Sequence, residues 1–313
     1  MTAKSTATAY ITHSECLLHD MGSYHPECPQ RLIAIQKELE ATGLYTKLQC
    51  HNAPLASDMQ LRRAHAAEYI VSVRESSPDS GLRFLDPDTA MNPHTLNAAL
   101  RAAGAVVKAV DLLMTQQASN AFCAVRPPGH HAESARAMGF CIFNNVAVGV
   151  AHALSSYELK RAAILDFDVH HGNGTEEIFG GNPAVLLCST FQHPFYPHCG
   201  VDNHHSNCIN VPLPAGSDGT VFRKMVTDYW LPAVNAFKPE IIFISAGFDA
   251  HQEDDMANLR FDDADYVWIT QQIQLWAEQH AQGRIVSVLE GGYSLKVLGR
   301  CVAQHISILA NAG

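Results

Sequence analysis

Two short stretches hold most of the residues able to do chemistry. Arg126-Pro127-Pro128-Gly129-His130-His131 presents two adjacent imidazoles. Asp166-Phe167-Asp168-Val169-His170-His171-Gly172-Asn173-Gly174 presents carboxylates at i and i+2 and an imidazole at i+4. An apolar run ending in Asp-x-Asp-x-His reads as a strand that delivers metal ligands from its C-terminal end. Asp168 and His170, joined by Asp249 after a later apolar run, form the candidate ligand set. Two carboxylates and one imidazole suit Zn²⁺ and leave a coordination position for water and substrate. The same set accepts Fe²⁺ or Co²⁺. Aspartates after strands also serve as ordinary helix caps. Asp249 alone fits either role, whereas the tandem Asp-x-Asp-x-His-His is poorly explained by capping.

The adjacent histidines read as acid–base groups beside a metal. One takes a proton from an attacking water, and a protonated imidazole supplies the leaving amine. Each needs an orienting acceptor, and Asp166 and Asn173 are the candidates. Tyr293 follows Gly291-Gly292, which lets the backbone approach a ligand, and its hydroxyl is suited to donate to a developing oxyanion. Gly139-Phe140 and Phe195-Tyr196-Pro197 offer aromatic walls for an aliphatic chain, with core packing as the alternative. Ligands and proton-transfer groups in one chain point to metal-assisted hydrolysis of an amide rather than to a structural metal.

Something must bring these residues together. Apolar runs predict strands at Ala7–Ile11, Ala121–Val125, Ala162–Leu165, Ala184–Cys188, Ile241–Ser245 and Ile285–Leu289. Amphipathic segments predict helices at Pro29–Thr42, Thr95–Met114, Asn145–Ser155, Thr220–Phe237, Ala264–His280 and Leu295–Ala310. The alternation predicts an α/β fold, a mostly parallel central sheet with helices on both faces. No repeat or linker divides the chain, so residues 1–313 read as a single domain. His130-His131, Asp166–His170, Ser189-Thr190, Asp249 and Glu290–Tyr293 each follow a predicted strand. In open parallel sheets the ligand crevice lies outside those carboxyl ends.

The chain has 313 residues, of which 47% are hydrophobic and 17% charged, enough for a large core and too few charges for extended disorder. A formal net charge of −10 disfavours a nucleic-acid partner; it reads first as ordinary solubility, with a field that attracts cationic substrates as the sharper alternative. Nine cysteines, irregularly spaced and without a CxxC pair, read as small hydrophobes in a reducing compartment. No signal peptide or membrane-spanning run is visible, so a soluble cytoplasmic protein is expected.

Arg126–His131, Gly139–Asn145, Asp166–Thr175, Ser245–His251 and Leu289–Tyr293, with His25-Pro26-Glu27-x-Pro29-x-Arg31-Leu32, closely resemble the histone deacetylase family. That family includes bacterial deacetylase-like amidohydrolases, acetoin-utilisation proteins and acetylpolyamine deacetylases, and Asn173 and Gly247–His251 resemble its class II branch. The resemblance implies an arginase-like fold and zinc dependence, with Asp168, His170 and Asp249 as ligands. It implies that His131 is the general base and acid, His130 its electrostatic partner, Asp166 the carboxylate behind His130, and Tyr293 the catalytic tyrosine. Asn173 stands where some members carry a second aspartate. Phe140 beside Gly139, with Tyr196, matches the aromatic pair of the substrate tunnel, although phenylalanine is common at the second position. Asp88 matches a rim residue that binds substrate backbone. A structural K⁺ is implied at Asp166, Asp168, His170 and Ser189. The His-rich loop over residues 192–207, with His193, His198, His204 and His205, departs from the shorter loop of many members and reads as a rim element that tunes substrate choice.

The leading expectation is a zinc-dependent hydrolase that removes acetyl or other acyl groups from lysine side chains or similar amines. The alternatives are an acetylpolyamine deacetylase and, from another class, a non-catalytic arginase-like binding protein. The partners expected are an acylated lysine peptide or protein, or an acylated small amine, with no nucleic acid and no membrane.

Overall fold

The structure, a computed structural model, describes residues 7–202 and 205–310. Strands β1 (Thr8–Thr12), β2 (Gln49–Asn52), β5 (Asn120–Cys123), β6 (Ala162–Asp166), β7 (Val185–Gln192), β8 (Cys208–Leu213), β9 (Ile241–Ala246) and β10 (Ile285–Leu289) build one sheet; β3 (Arg83–Asp86) and β4 (Thr89–Met91) form a separate hairpin. The sheet runs β2-β1-β5-β10-β9-β6-β7-β8. Every neighbouring pair in it is parallel. The inner strands are buried along their whole length, as a parallel sheet covered on both faces requires, and this explains their unbroken apolar runs.

Helices Gln30–Ala41, Leu295–Ala310 and Asp263–His280 pack on one another as one group, and Thr95–Met114 packs on Asn145–Ser156 as another. Gly149 permits that second contact, since a Cβ there would sit 2.2 Å from Val106 Cγ1. The α/β reading therefore stands.

Its boundaries need correction in three places. The strand expected over Ala121–Val125 ends at Cys123, and the one expected over Ala184–Cys188 continues to Gln192 because β8 pairs with its second half. The helix expected over Thr220–Phe237 changes register at Val226–Trp230, where Leu231 N–H reaches back to Val226 O ahead of Pro232, which has no N–H. Edge strands β2 and β8, the hairpin, and the short helices Asp58–Leu61, Ala67–Glu75 and Asn173–Phe179 were not expected; they are too short for a clear apolar period. Among the described residues no helix is long and apolar enough to cross a membrane.

Strand order decides the site. β5, β10, β9, β6 and β7 are consecutive in the sheet and parallel, so the segments that follow them open on one edge. Those are the five strand ends that carry the candidate residues.

Candidate active site

Asp166 is the last residue of β6, opposite Ser189 on β7 and Ser245 on β9. The chain then turns, and Asp168, His170 and, after β9, Asp249 converge. Their ligand-capable atoms all lie within 4.8 Å of one another. His170 Nδ1 is 3.1 Å from Asp168 Oδ1 and 3.3 Å from Asp249 Oδ2. Asp249 Oδ1 accepts from Val169 N at 3.0 Å, while its Oδ2, though buried, has no hydrogen-bond partner. Gly291 faces these carboxylates so closely that a Cβ would stand 1.9 Å from Asp249 Oδ2. Burial and the Asp168 charge push the Asp249 carboxyl up to about 6. Burial opposes ionisation of Asp168 too, but His130 and His170 outweigh it and hold that carboxyl below its ordinary range.

The dihistidine turn leaves β5 and meets this group from the side. His130 Nδ1–H donates to Asp166 Oδ2 at 3.0 Å, and His131 Nδ1–H donates to Asn173 Oδ1 at 2.8 Å. Asn173 Nδ2 donates to Glu133 Oε1 at 2.9 Å, which fixes the amide so that its oxygen faces His131. The Nε2 of His131 is thereby the unprotonated nitrogen. The two imidazoles are pushed apart in acidity. Burial disfavours charge on His130, but Asp168, Asp166 and Glu290 overcome it and hold its pKa well above the ordinary value. Burial, together with the positive fields of His130 and His170, holds His131 well below it.

Between these groups and solvent lies a cavity of about 200 Å³ lined by Asp88, His131, Gly139, Phe140, His170, Phe195, Tyr196, Met256 and Tyr293. Gly139 (φ 58°) and Phe140 (φ 68°) are both left-handed, and a Cβ at position 139 would meet His131 Cδ2 at 2.3 Å. This costly geometry is held by the hairpin: Gly139 N donates to Asp88 Oδ1 at 2.9 Å and Phe140 N to Thr89 Oγ1 at 3.0 Å. Asp88 thus shapes the tunnel wall besides lying at its rim. The Tyr196 hydroxyl is buried without a hydrogen-bond partner. His25 braces Phe140 edge-on, with ring centroids 4.7 Å apart.

Tyr293 is stacked under the Arg31 guanidinium, whose carbon is 5.0 Å from the ring centroid. Arg31 also donates from Nε to Gly292 O at 2.7 Å and from NH1 to Glu27 Oε1 at 3.0 Å. Glu27 in turn pairs with Arg126, so the His25–Leu32 motif ties the tyrosine turn to the dihistidine turn. Burial and the Asp249 and Asp168 charges lift the phenol well above its ordinary value, with Arg31 opposing, so it remains a hydroxyl donor at neutral pH.

Three contributors carried no individual signal in the sequence. Asp254 Oδ2 accepts from Tyr293 N at 2.6 Å and Ser294 N at 2.9 Å. Glu290 Oε2 accepts from Gly129 N and His130 N. Met256 completes the tunnel wall. His171, next to the ligand histidine, faces the other way and pairs with Glu176 at 2.5 Å. In the His-rich loop, Phe195 and Tyr196 line the cavity, and His204 lies outside the described residues. Among the described residues, the other group of metal-capable side chains is His251, Asp263 and Cys301, where Asp263 is already paired with Arg300.

Comparison with known proteins places this geometry. The profile of the histone deacetylase domain matches residues 25–309. A probable deacetylase of Archaeoglobus fulgidus is 35% identical over 300 residues, covering 92% of this chain and 82% of that one. A histone deacetylase-like amidohydrolase of Pseudomonas aeruginosa is 34% identical over 332 residues, covering 97% and 87%. The crystal structure of the HDA15 HD domain superposes with a TM-score of 0.92 at 33% identity, over 98% of this chain and 89% of that one. An eight-stranded parallel sheet, a dihistidine turn beside two aspartates and a histidine, and a match over nearly the full length agree: this chain belongs to the histone deacetylase family.

Proposed function

We propose that the chain is a zinc-dependent amidohydrolase, one catalytic domain acting in the cytoplasm, that removes acetyl or related acyl groups from the lysine ε-amine or a similar primary amine. The observation that carries this reading is the convergence of Asp168 and Asp249 on His170, which lines an aromatic-walled cavity. The donor set fits a dication. Two buried carboxylates without a full complement of donors are costly unless a cation balances them, and Asp249 Oδ2 is such an orphan. Fe²⁺ or Co²⁺ fits the same donors. For K⁺, the buried Ser189 hydroxyl lacks a partner beside Asp166, which suits a site built from Asp166, Asp168, His170 and Ser189.

When bound, the divalent ion would supply Lewis acidity to the amide carbonyl and to a water. The chain's own groups do the rest. Phe140 and Tyr196 enclose the methylene chain of the amine and exclude water, and Asp88 holds the Phe140 wall in place. His131, neutral and with Nε2 free, accepts the proton of the attacking water and returns it to the leaving amine. His130, kept charged by Asp168 and Asp166, keeps His131 from holding that proton too firmly. Asn173 orients His131 without adding a charge, and Tyr293 donates its hydroxyl to the carbonyl oxygen as negative charge builds there.

The test is a substrate panel of acetyl-, trifluoroacetyl- and longer acyl-lysine peptides with acetylpolyamines, alongside metal analysis. Turnover of acyl-lysine that chelation abolishes and Zn²⁺ restores is expected. Purified protein that binds no divalent ion and hydrolyses none of the panel would leave the binding-protein alternative.

A further inference from the structure

Glu290 directly follows β10 and is fully buried; its charge adds to the field on His130, but it touches none of the reacting atoms. Its Oε2 accepts from two consecutive amides, Gly129 N at 2.7 Å and His130 N at 3.1 Å. These amides lie past the end of β5, where no neighbouring strand can pair them. The remaining anchors of the turn act on carbonyls: Asn145 Nδ2 donates to Pro127 O at 3.1 Å and Thr175 N to His130 O at 3.2 Å. Glu290 is thus the acceptor that satisfies the donor side of the turn. Its backbone belongs to the neighbouring turn. Arg31 donates to the carbonyls of Glu290 and Gly292, and Gly291 N donates to Asp168 Oδ2 at 2.8 Å. One residue stands between the histidine turn and the tyrosine turn, joined to both.

We propose that Glu290 is a positioning residue for the His130–His131 pair: one carboxyl oxygen sets the turn from which both imidazoles project and registers it against the Tyr293 turn. The inference rests on the amidohydrolase reading. The other oxygen, Oε1, has no partner. Glutamine at this position therefore keeps the acceptor but adds a buried NH₂ with nothing to bond, so fold stability and turnover respond differently.

The experiment uses the full-length, Zn²⁺-loaded protein with Glu290→Gln, Glu290→Asp and Glu290→Ala. Zinc content, Tm, kcat and KM on an acetyl-lysine peptide, and amide exchange at Gly129 and His130 are measured. Glu290→Ala and Glu290→Asp, which remove or withdraw the acceptor, are expected to keep their zinc and lose about ten- to a hundredfold in kcat, because small misplacements of acid–base groups cost that much. KM should stay within about twofold, since substrate contacts are untouched. The Gly129 and His130 amides should exchange faster in both. Glu290→Gln keeps the acceptor but removes a charge that helps hold His130 protonated, so it is expected to melt earlier than wild type, keep its Gly129 and His130 amides protected, and lose clearly less kcat than Glu290→Ala. Wild-type kcat in Glu290→Asp overturns the proposal, and so does a Glu290→Gln protein as slow as Glu290→Ala with its amides still protected. If Glu290→Ala does not fold, the aspartate and glutamine variants decide alone. Failure of the wild type to hydrolyse any acyl amine would instead refute the amidohydrolase reading, and amide exchange would still report on the turn.

Discussion

Replacing Tyr293 by phenylalanine removes one oxygen and little else. The ring keeps Arg31 at 5.0 Å and Phe140 edge-on at 6.1 Å, and its turn remains clasped by Asp254. Fold, metal content and substrate binding should therefore survive. The loss falls on the transition state, where the carbonyl oxygen gains charge that the ground-state amide lacks. Removing one such donor costs about 10²–10³ in kcat, or about 3–4 kcal/mol. Two features of the site move the expectation within that range. Burial near Asp249 and Asp168 makes the phenol a weaker acid, which weakens its donation. The same burial keeps water from taking the place of the lost hydroxyl. Two carboxylate ligands also leave any bound dication a weaker electrophile than three histidines would, which enlarges the share left to Tyr293. We expect kcat on acetyl-lysine to fall at least about a hundredfold with KM nearly unchanged. A trifluoroacetyl substrate, already electron-poor at the carbonyl, should lose less. Steady-state kinetics of both substrates on wild type and variant decide the matter. Equal losses on the two would refute the electrophilic role, and no loss on either would remove Tyr293 from the reaction.

Asp168→Ala should lose its divalent ion by elemental analysis and its activity together; a variant that retains stoichiometric metal would refute the ligand assignment. His131→Ala should keep its metal and lose about 10²–10⁴ in kcat, the usual worth of general acid–base catalysis, whereas His130→Ala should lose less. The reverse ranking in single-turnover assays would exchange their roles. Asn173→Asp places a carboxylate charge against the Nδ1–H of His131 and raises the pKa of that imidazole. The base must be neutral, so the limb on which kcat/KM rises with pH should move to higher pH, by about one unit if the added interaction is about 1.4 kcal/mol. Glu133, 2.9 Å from the Asn173 amide nitrogen, opposes the new charge and limits the shift. A limb that does not move would count against His131 as the base.

The legible part of this protein follows from where its chemistry is attached. Asp168, His170, Asp249, His130, His131 and Tyr293 lie on the segments that leave the C-terminal ends of buried strands whose apolar runs are unmistakable. A parallel sheet sends all such residues to one edge, so motif and strand together located them. Legibility fails where a residue acts through backbone. Asp254 and Glu290 each offer one oxygen to two successive N–H groups, of Tyr293 and Ser294 and of Gly129 and His130. An amide carries no side-chain identity, so nothing at position 129 or 294 announces the acceptor it needs. Asp88 is a partial case. It was expected at the rim, but its grip on Gly139 N follows from left-handed backbone at Gly139 and Phe140, of which only the glycine is a sequence hint.

The surroundings of the two histidines push their acidities in opposite directions. His130 is backed by a carboxylate and His131 by an amide, a difference of one atom type at Asp166 and Asn173. Charge on His130 lowers the basicity of its neighbour, and the amide behind His131 does nothing to restore it. Had both acceptors been carboxylates, His131 would hold a proton more firmly and spend less of the neutral range as a base. In the mechanism proposed above, the Asp168 charge beside His130 and the burial of His131 divide the labour between the two imidazoles, and the pairing of aspartate with one and asparagine with the other reinforces the division.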